Sequence, residues 1–468
     1  MTRSLFCTFL LLLSQLSAAE KDPNFFEKPY LQLGNRPTDK AGDLDLQWLA
    51  HDRDSAWTVE YKQSGDWKKA NVRMLRRVNV QGTAAHRVMV AALTGLTPNT
   101  RFDYRILVGG TEVFASSAMS RKDKTANSRT VIFGDTAADT SGQRAVAYYS
   151  LKEQPDMVFI PGDIVYSRGR VSEYQENFWP FFNADQNDAK SGAPLLRSTL
   201  IAGAVGNHDV GTTIDFTVNP DALAYYYYWS QPMNGPALKA NGANTPNLKG
   251  SQSAMNAFLK IAGANFPKGA NFSFDYGKVH WTVIDSNTYT DWTTPEFRAW
   301  LKKDLAAAKD AAWRIVAFHH PPFNSSKAHA SDQRQRVIND ILEEGKVALV
   351  FAGHVHNYQR TYPLKFEVAP GFVLGKENKV PGKWTLDKSY DGVKNTRPNG
   401  VIHIVTGAGG ARLYNEDQTN KPDSWEEFTT KFISNVHSFT VMDAEENKLT
   451  IRQISAEGKE LDKFIVEK

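Results

Sequence analysis

Five short apolar runs, each breaking into a side chain able to hold a metal, constrain this chain more than any other feature. Met157-Val158-Phe159-Ile160 runs into Pro161-Gly162-Asp163-Ile164-Val165-Tyr166. A brief apolar run without polar alternation reads as a parallel strand buried on both faces. Ligands in α/β sheets bind beyond the carboxyl ends of such strands. Four further runs end alike. Residues 130–133 lead into Gly134-Asp135, and 199–205 into Gly206-Asn207-His208-Asp209. Residues 314–318 lead into His319-His320, and 347–351 lead towards Gly353-His354-Val355-His356.

Residues two apart in an extended segment face the same side, about 6–7 Å from each other. His354 and His356 therefore reach one site, and their spacing suits one imidazole on each of two metals about 3.5–4 Å apart. A carboxylate bridges such a pair with its two oxygens, and Asp163 is the expected bridge. Thiolates are excluded from the mature chain. The single cysteine, Cys7, lies in residues 1–19, which read as a secretory signal: Arg3 opens it, 5–13 are apolar and Ser17-Ala18-Ala19 suits cleavage. The apolar core is too short to span a membrane, so a secreted or periplasmic protein is expected. The formal charge of +4 is close to balance and implies no general affinity for nucleic acid or anionic membrane.

Two domains are expected of 468 residues. Alternation in Asp45-Leu46-Gln47-Trp48-Leu49, Trp57-Thr58-Val59-Glu60-Tyr61 and Arg87-Val88-Met89-Val90-Ala91 marks residues 28–121 as all-β. About seven short strands predict a β-sandwich there. The polar stretch 122–128 is the expected linker. Beyond it the spacing predicts a βαβ unit with a helix over 143–154, a hairpin at 272–284 and helices over 295–308 and 332–343. A hairpin of 438–442 and 448–454 is expected to close the chain. An insertion over about 215–265 contains Tyr225-Tyr226-Tyr227-Tyr228-Trp229, read as core in preference to a lid.

With these residues in view, the sequence resembles the metallophosphoesterases, and within them the purple acid phosphatases. The resembling motifs are Gly134-Asp135, Gly162-Asp163-Ile164-Val165-Tyr166, Gly206-Asn207-His208-Asp209, Val316-Ala317-Phe318-His319 and Gly353-His354-Val355-His356, in that order. The likeness extends to Asn357-Tyr358-Gln359-Arg360, and residues 28–121 resemble the family's fibronectin-type-III-like domain. It implies a four-layer α/β/β/α catalytic domain over 128–468. One metal, Fe³⁺, would take Asp135, Asp163, Tyr166 and His356. A divalent Zn, Fe or Mn would take Asp163, Asn207, His319 and His354. The activity implied is hydrolysis of small phosphomonoesters by a metal-activated hydroxide.

His208 is the expected proton donor to the leaving group, with Asp209 orienting it. Asn207, His329 and His320 are the expected substrate-binding residues. His280 and His403 fall within strands and read as core residues. Gly407-Ala408-Gly409-Gly410 lacks a P-loop lysine and reads as close backbone approach near the site. Two other readings stay open: a phosphodiesterase or nucleotide pyrophosphatase on the same centre, and a wall- or matrix-binding protein without catalysis.

Overall fold

The computed structural model describes residues 22–35, 42–375 and 378–468. The expected secretory segment, with Cys7, lies outside the described residues. Two sheets carry the strands that end in the candidate ligands. In the first, Ser128–Ile132, Met157–Pro161 and Leu200–Ala204 run parallel, with Met157–Pro161 between the other two. In the second, Val279–Val283, Trp313–Ala317, Leu349–Ala352 and Ile402–Thr406 are successive parallel neighbours.

Side-chain alternation explains how these sheets stack. Ile132, Phe159 and Ala202 from the first sheet share one core with Trp281, Ile315, Ala317, Leu349 and Phe351 from the second. The residues between them, Val131, Val158 and Ile201, face the other way, onto Val146 and Ala147 of helix Ser141–Lys152. On the far side, Val316 and Val350 face Leu301 and Leu305 of helix Pro295–Ala307 and Ile341 of Asn339–Glu344. Strands buried on both faces need apolar residues at consecutive positions, hence the unbroken runs in the sequence. The order is helix, sheet, sheet, helix. Thr140 caps the first of these helices, its hydroxyl accepting from the Gln143 N–H.

The described amino-terminal residues form seven strands between Phe25 and Met119. Their boundary with the rest differs from the expected linker-separated arrangement. Strand Phe25–Gln32 starts before residue 28 and pairs in parallel with Leu200–Ala204, Leu31 opposite Leu200. On its other edge it pairs antiparallel with Leu44–His51, so a single hydrogen-bonded sheet of 13 strands runs through both parts. The aromatic run lies under this junction and is buried. Tyr30 Oη donates to the Tyr228 carbonyl at 3.0 Å, and Arg76 donates to the Tyr227 carbonyl at 2.8 Å.

Two other elements depart from expectation. The helix expected over 332–343 is a 3₁₀ turn, Arg334–Ile338, followed by a short α-helix, Asn339–Glu344. The closing hairpin, Ser438–Ala444 with Lys448–Ser455, gains a third strand, Glu460–Glu467, whose Phe464 and Val466 join the shared core. No helix among the described residues is long and apolar enough to cross a membrane.

Candidate metal centre

The strands of both sheets deliver their ends to one place, and three of the delivered residues sit in a backbone conformation that side chains seldom adopt. Asp135, Asp163 and His354 have φ of 57°, 50° and 68°. Left-handed conformations of non-glycine residues are uncommon and concentrate at functional sites. Glycines let the loops close on each other. A Cβ on Gly162 (φ 87°) would lie 2.5 Å from His319 Nδ1, and one on Gly353 would lie 2.6 Å from an Asp135 oxygen. Gly407 also abuts an Asp135 oxygen, and Gly410 the Thr136 carbonyl, matching the reading of that run as close approach.

Tyr166 Oη marks one half of the cluster. It lies 3.1 Å from Asp135 Oδ1, 3.1 Å from Asp163 Oδ2 and 3.0 Å from His356 Nε2. His319 Nε2 marks the other half, 3.2 Å from Asp163 Oδ1 and 3.1 Å from Asn207 Oδ1. Asp163 thus turns one oxygen to each half. Both imidazoles are held by carbonyls at Nδ1: His356 by Arg412 at 2.6 Å and His319 by Pro161 at 2.9 Å. A carbonyl only accepts, so Nδ1 carries a proton in both rings and Nε2 is the nitrogen each directs inward, the one a cation would take in place of a proton.

This donor set fits a pair of cations. Carboxylate, phenol, amide and imidazole acceptors converge, and the single phenol proton satisfies only one of them. Burial, reinforced by the charges of Asp135 and Asp163, pushes the Tyr166 phenol well above its ordinary value. A cation in the same space reverses that preference, since it favours the phenolate. Burial would also raise the Asp163 carboxyl, but His319 and His208 outweigh it and hold it well below the usual range. Burial opposes charge on His319 too, where Asp163 prevails and raises it to about 9. Asp135, Asp163 and His319 offer ligand atoms within 4.8 Å of one another, and so do His319, His320 and His354.

His208 stands at the mouth of the cluster, its ring 4.5 Å from that of Tyr166 and its Nε2 3.9 Å from Asp163 Oδ2. The expected help from Asp209 does not occur. Asp209 is fully buried and accepts from the backbone N–H groups of Gly206 at 2.8 Å and Ile164 at 3.0 Å, tying two ligand loops together. It is the Ser167 carbonyl, 2.9 Å from Nδ1, that orients His208. Neighbouring residues on so tight a turn, Asn207–Val210, point apart.

His320 and His329 both pack on His354, with ring centroids 4.3 and 4.0 Å away. His320 is buried, and its Nδ1 lies 2.9 Å from Ser286 Oγ. His329 is the more open of the two. Three further residues escaped the sequence reading. Ser286, beyond the end of strand Val279–Val283, accepts the His319 and His320 N–H groups at 3.1 and 2.9 Å. Tyr414 stacks on His356 at 4.0 Å. Asp332 lies 3.0 Å from His354 Nε2, and its spacing of three from His329 was the one available signal.

The family profile of calcineurin-like phosphoesterases matches residues 128–358. Purple acid phosphatase 23 of Arabidopsis thaliana is 24% identical over 308 residues, 60% of this chain and 59% of its own length. Probable purple acid phosphatase 20 of the same plant is 23% identical over 428 residues, 87% of this chain and 85% of its own. The chain spans less than two thirds of the length of several curated relatives, 58% in one case. The solved structure of purple acid phosphatase PPD1 from yellow lupin seeds superposes with a TM-score of 0.61 at 17% identity, covering 94% of this chain and 74% of that one. At that identity the likeness concerns the fold. The matched stretch contains every strand end that bears a candidate ligand, and it is a calcineurin-like metallophosphoesterase domain.

Proposed function

We propose that this protein is a secreted phosphatase that hydrolyses small phosphomonoesters at a binuclear centre of Fe³⁺ and a divalent Zn, Fe or Mn ion. The observation that carries the reading is the placement of Tyr166 Oη within 3.0–3.1 Å of Asp135, Asp163 and His356. A phenol ordinarily ionises near pH 10, and a strongly acidic ferric ion makes it an anionic ligand at neutral or acid pH. Asp135, Tyr166 and His356 would hold that ion, Asn207, His319 and His354 the divalent one, with Asp163 shared. When bound, the pair supplies positive charge for the phosphate and makes water acidic enough to yield hydroxide near neutrality.

The chain's own residues do the rest. His208, its Nδ1–H held by the Ser167 carbonyl, offers Nε2–H to the departing alkoxide oxygen. His329, beside the cluster and open to solvent, contributes a donor for a phosphate oxygen. Residues 28–121 belong in this reading as a fibronectin-type-III-like sandwich. Strand Phe25–Gln32 supports that role by bracing the sheet whose end bears Asn207.

Elemental analysis of the purified protein, a visible spectrum and hydrolysis of paired mono- and diesters test the proposal. Iron with a second metal, visible colour and preference for the monoester are expected. A colourless protein without iron overturns the centre. Faster diester cleavage overturns the substrate class, and metal without any hydrolysis favours a binding protein.

A further inference from the structure

The ligands of the proposed centre are not all held in the same way, and the exception points to a residue with a task of its own. His319 and His356 each place Nδ1 against a backbone carbonyl and direct Nε2 inward. His354 is reversed. Its Nε2 lies 3.0 Å from Asp332 Oδ2, a carboxylate that can only accept when ionised. The Nε2 of His354 therefore carries the proton, and the lone pair resides on Nδ1. We propose that Asp332 is a positioning residue of the divalent site: it fixes the tautomer of His354 so that this imidazole binds metal through Nδ1. The inference rests on the metal-centre reading above and deepens it.

The carboxylate is itself braced. Asn378 Nδ2 donates to Asp332 Oδ1 at 2.8 Å, and Asp332 Oδ2 lies 3.3 Å from His329 Nδ1. The turn holding both acidic and imidazole groups is closed by the Asp332 N–H donating to the His329 carbonyl at 3.0 Å. Asp332 thus links a ligand of the divalent ion to the histidine proposed to meet substrate. A carboxylate partner also differs from a carbonyl in kind. It places a full negative charge behind the ring and raises the basicity of the coordinating nitrogen. Of the three imidazoles whose outer partner is identified, only that of His354 has this support. The geometry is satisfied by hydrogen bonds alone, so no third ion is needed at His329, Asp332 and His354.

The test measures Zn²⁺ occupancy of the intact protein, by elemental analysis after dialysis against chelator-buffered Zn²⁺ at graded free concentrations. Partners of metal-bound imidazoles change affinity by about 10–100-fold when removed. Asp332→Ala is expected to weaken Zn²⁺ by that factor. Asp332→Asn, which keeps an accepting oxygen but no charge, should weaken it less, and Asp332→Glu should restore part of the loss. The iron–phenolate colour should persist in all three, because Tyr166 and His356 do not touch Asp332. Unchanged Zn²⁺ affinity in both Asp332→Ala and Asp332→Asn overturns the inference. Parallel loss of Zn²⁺ and colour also overturns it, since that reports general damage. Wild-type protein that takes up no metal instead removes the centre, and the inference with it.

Discussion

Tyr166 Oη lies 3.0 Å from His356 Nε2, although the two residues stand 190 positions apart, in loops that follow strands of different sheets. No local force holds them together. The contact exists because two parallel-stranded layers share one core and end at the same edge. Tyr166→Phe keeps the ring and removes only the oxygen. It should abolish the visible absorption expected of the proposed iron–phenolate bond while the far-ultraviolet circular dichroism stays that of the wild type. Colour that survives the substitution would take Tyr166 out of the centre.

Asp163 gives one oxygen to each half of the cluster. Asp163→Asn replaces a shared anion with a neutral amide, and elemental analysis should find both metals depleted. Depletion of just one would show that the two halves do not share this residue.

His208→Ala removes the proposed proton donor. General acids typically contribute about 10²–10⁴-fold, and that loss should appear with alkyl phosphates. Esters with acidic phenol leaving groups depart without help and should be slowed far less. Equal slowing across a leaving-group series would remove the acid role.

Two buried histidines away from the centre should give the fold opposite pH trends. His280 lies between Asp275 at 2.7 Å and Asp304 at 3.1 Å. Burial works against its charge, but the two carboxylates win and raise it to about 9. Its stabilisation is complete below the unfolded value near 6.5 and fades as pH rises through about 9. His280→Gln should cost on the order of 2 kcal/mol at pH 6 and much less at pH 9.5, read from denaturant midpoints. His403 is buried with both ring nitrogens unpartnered, and burial lowers it to about 3. Its proton is refused by the fold but accepted by the unfolded chain, so stability falls as pH drops below about 6.5, by about 1.4 kcal/mol per unit. His403→Leu should therefore flatten the acid side of the stability profile. An unchanged slope between pH 4 and 6 would show that His403 is not the cause.

A chain starting at residue 122 would lose strand Phe25–Gln32 and leave Leu200–Ala204 as a bare, apolar edge. Such a truncation should aggregate, as size-exclusion chromatography would show. A monodisperse, metal-loaded fragment would instead prove the catalytic part self-sufficient.

What could be read from the sequence, and what could not, divides along physical lines. Strands such as Met157–Pro161 and Leu349–Ala352 announce themselves because burial on both faces demands consecutive apolar residues. Their ends are equally visible, since glycine next to Asp163 or His354 marks a sharp turn. Asp332 was hidden. It lies in a polar turn outside any strand end, and its role arises from where residue 354 happens to fall in space. Ser286 and Tyr414 were hidden for the same reason, one a lone hydroxyl, the other following a glycine run. Asp209 misled because adjacency in sequence was taken for adjacency in space; on the turn Asn207–Val210 the backbone N–H groups claimed its carboxylate first.

The parallel pairing of Leu31 with Leu200 also sets an order of events during synthesis. The segment around Leu31 leaves the ribosome long before its partner exists, and cannot settle into its final neighbours until the stretch preceding Asn207 has emerged. Contacts so distant along the chain close slowly. The earliest strand must wait, with one edge unpaired, until the later one has been made.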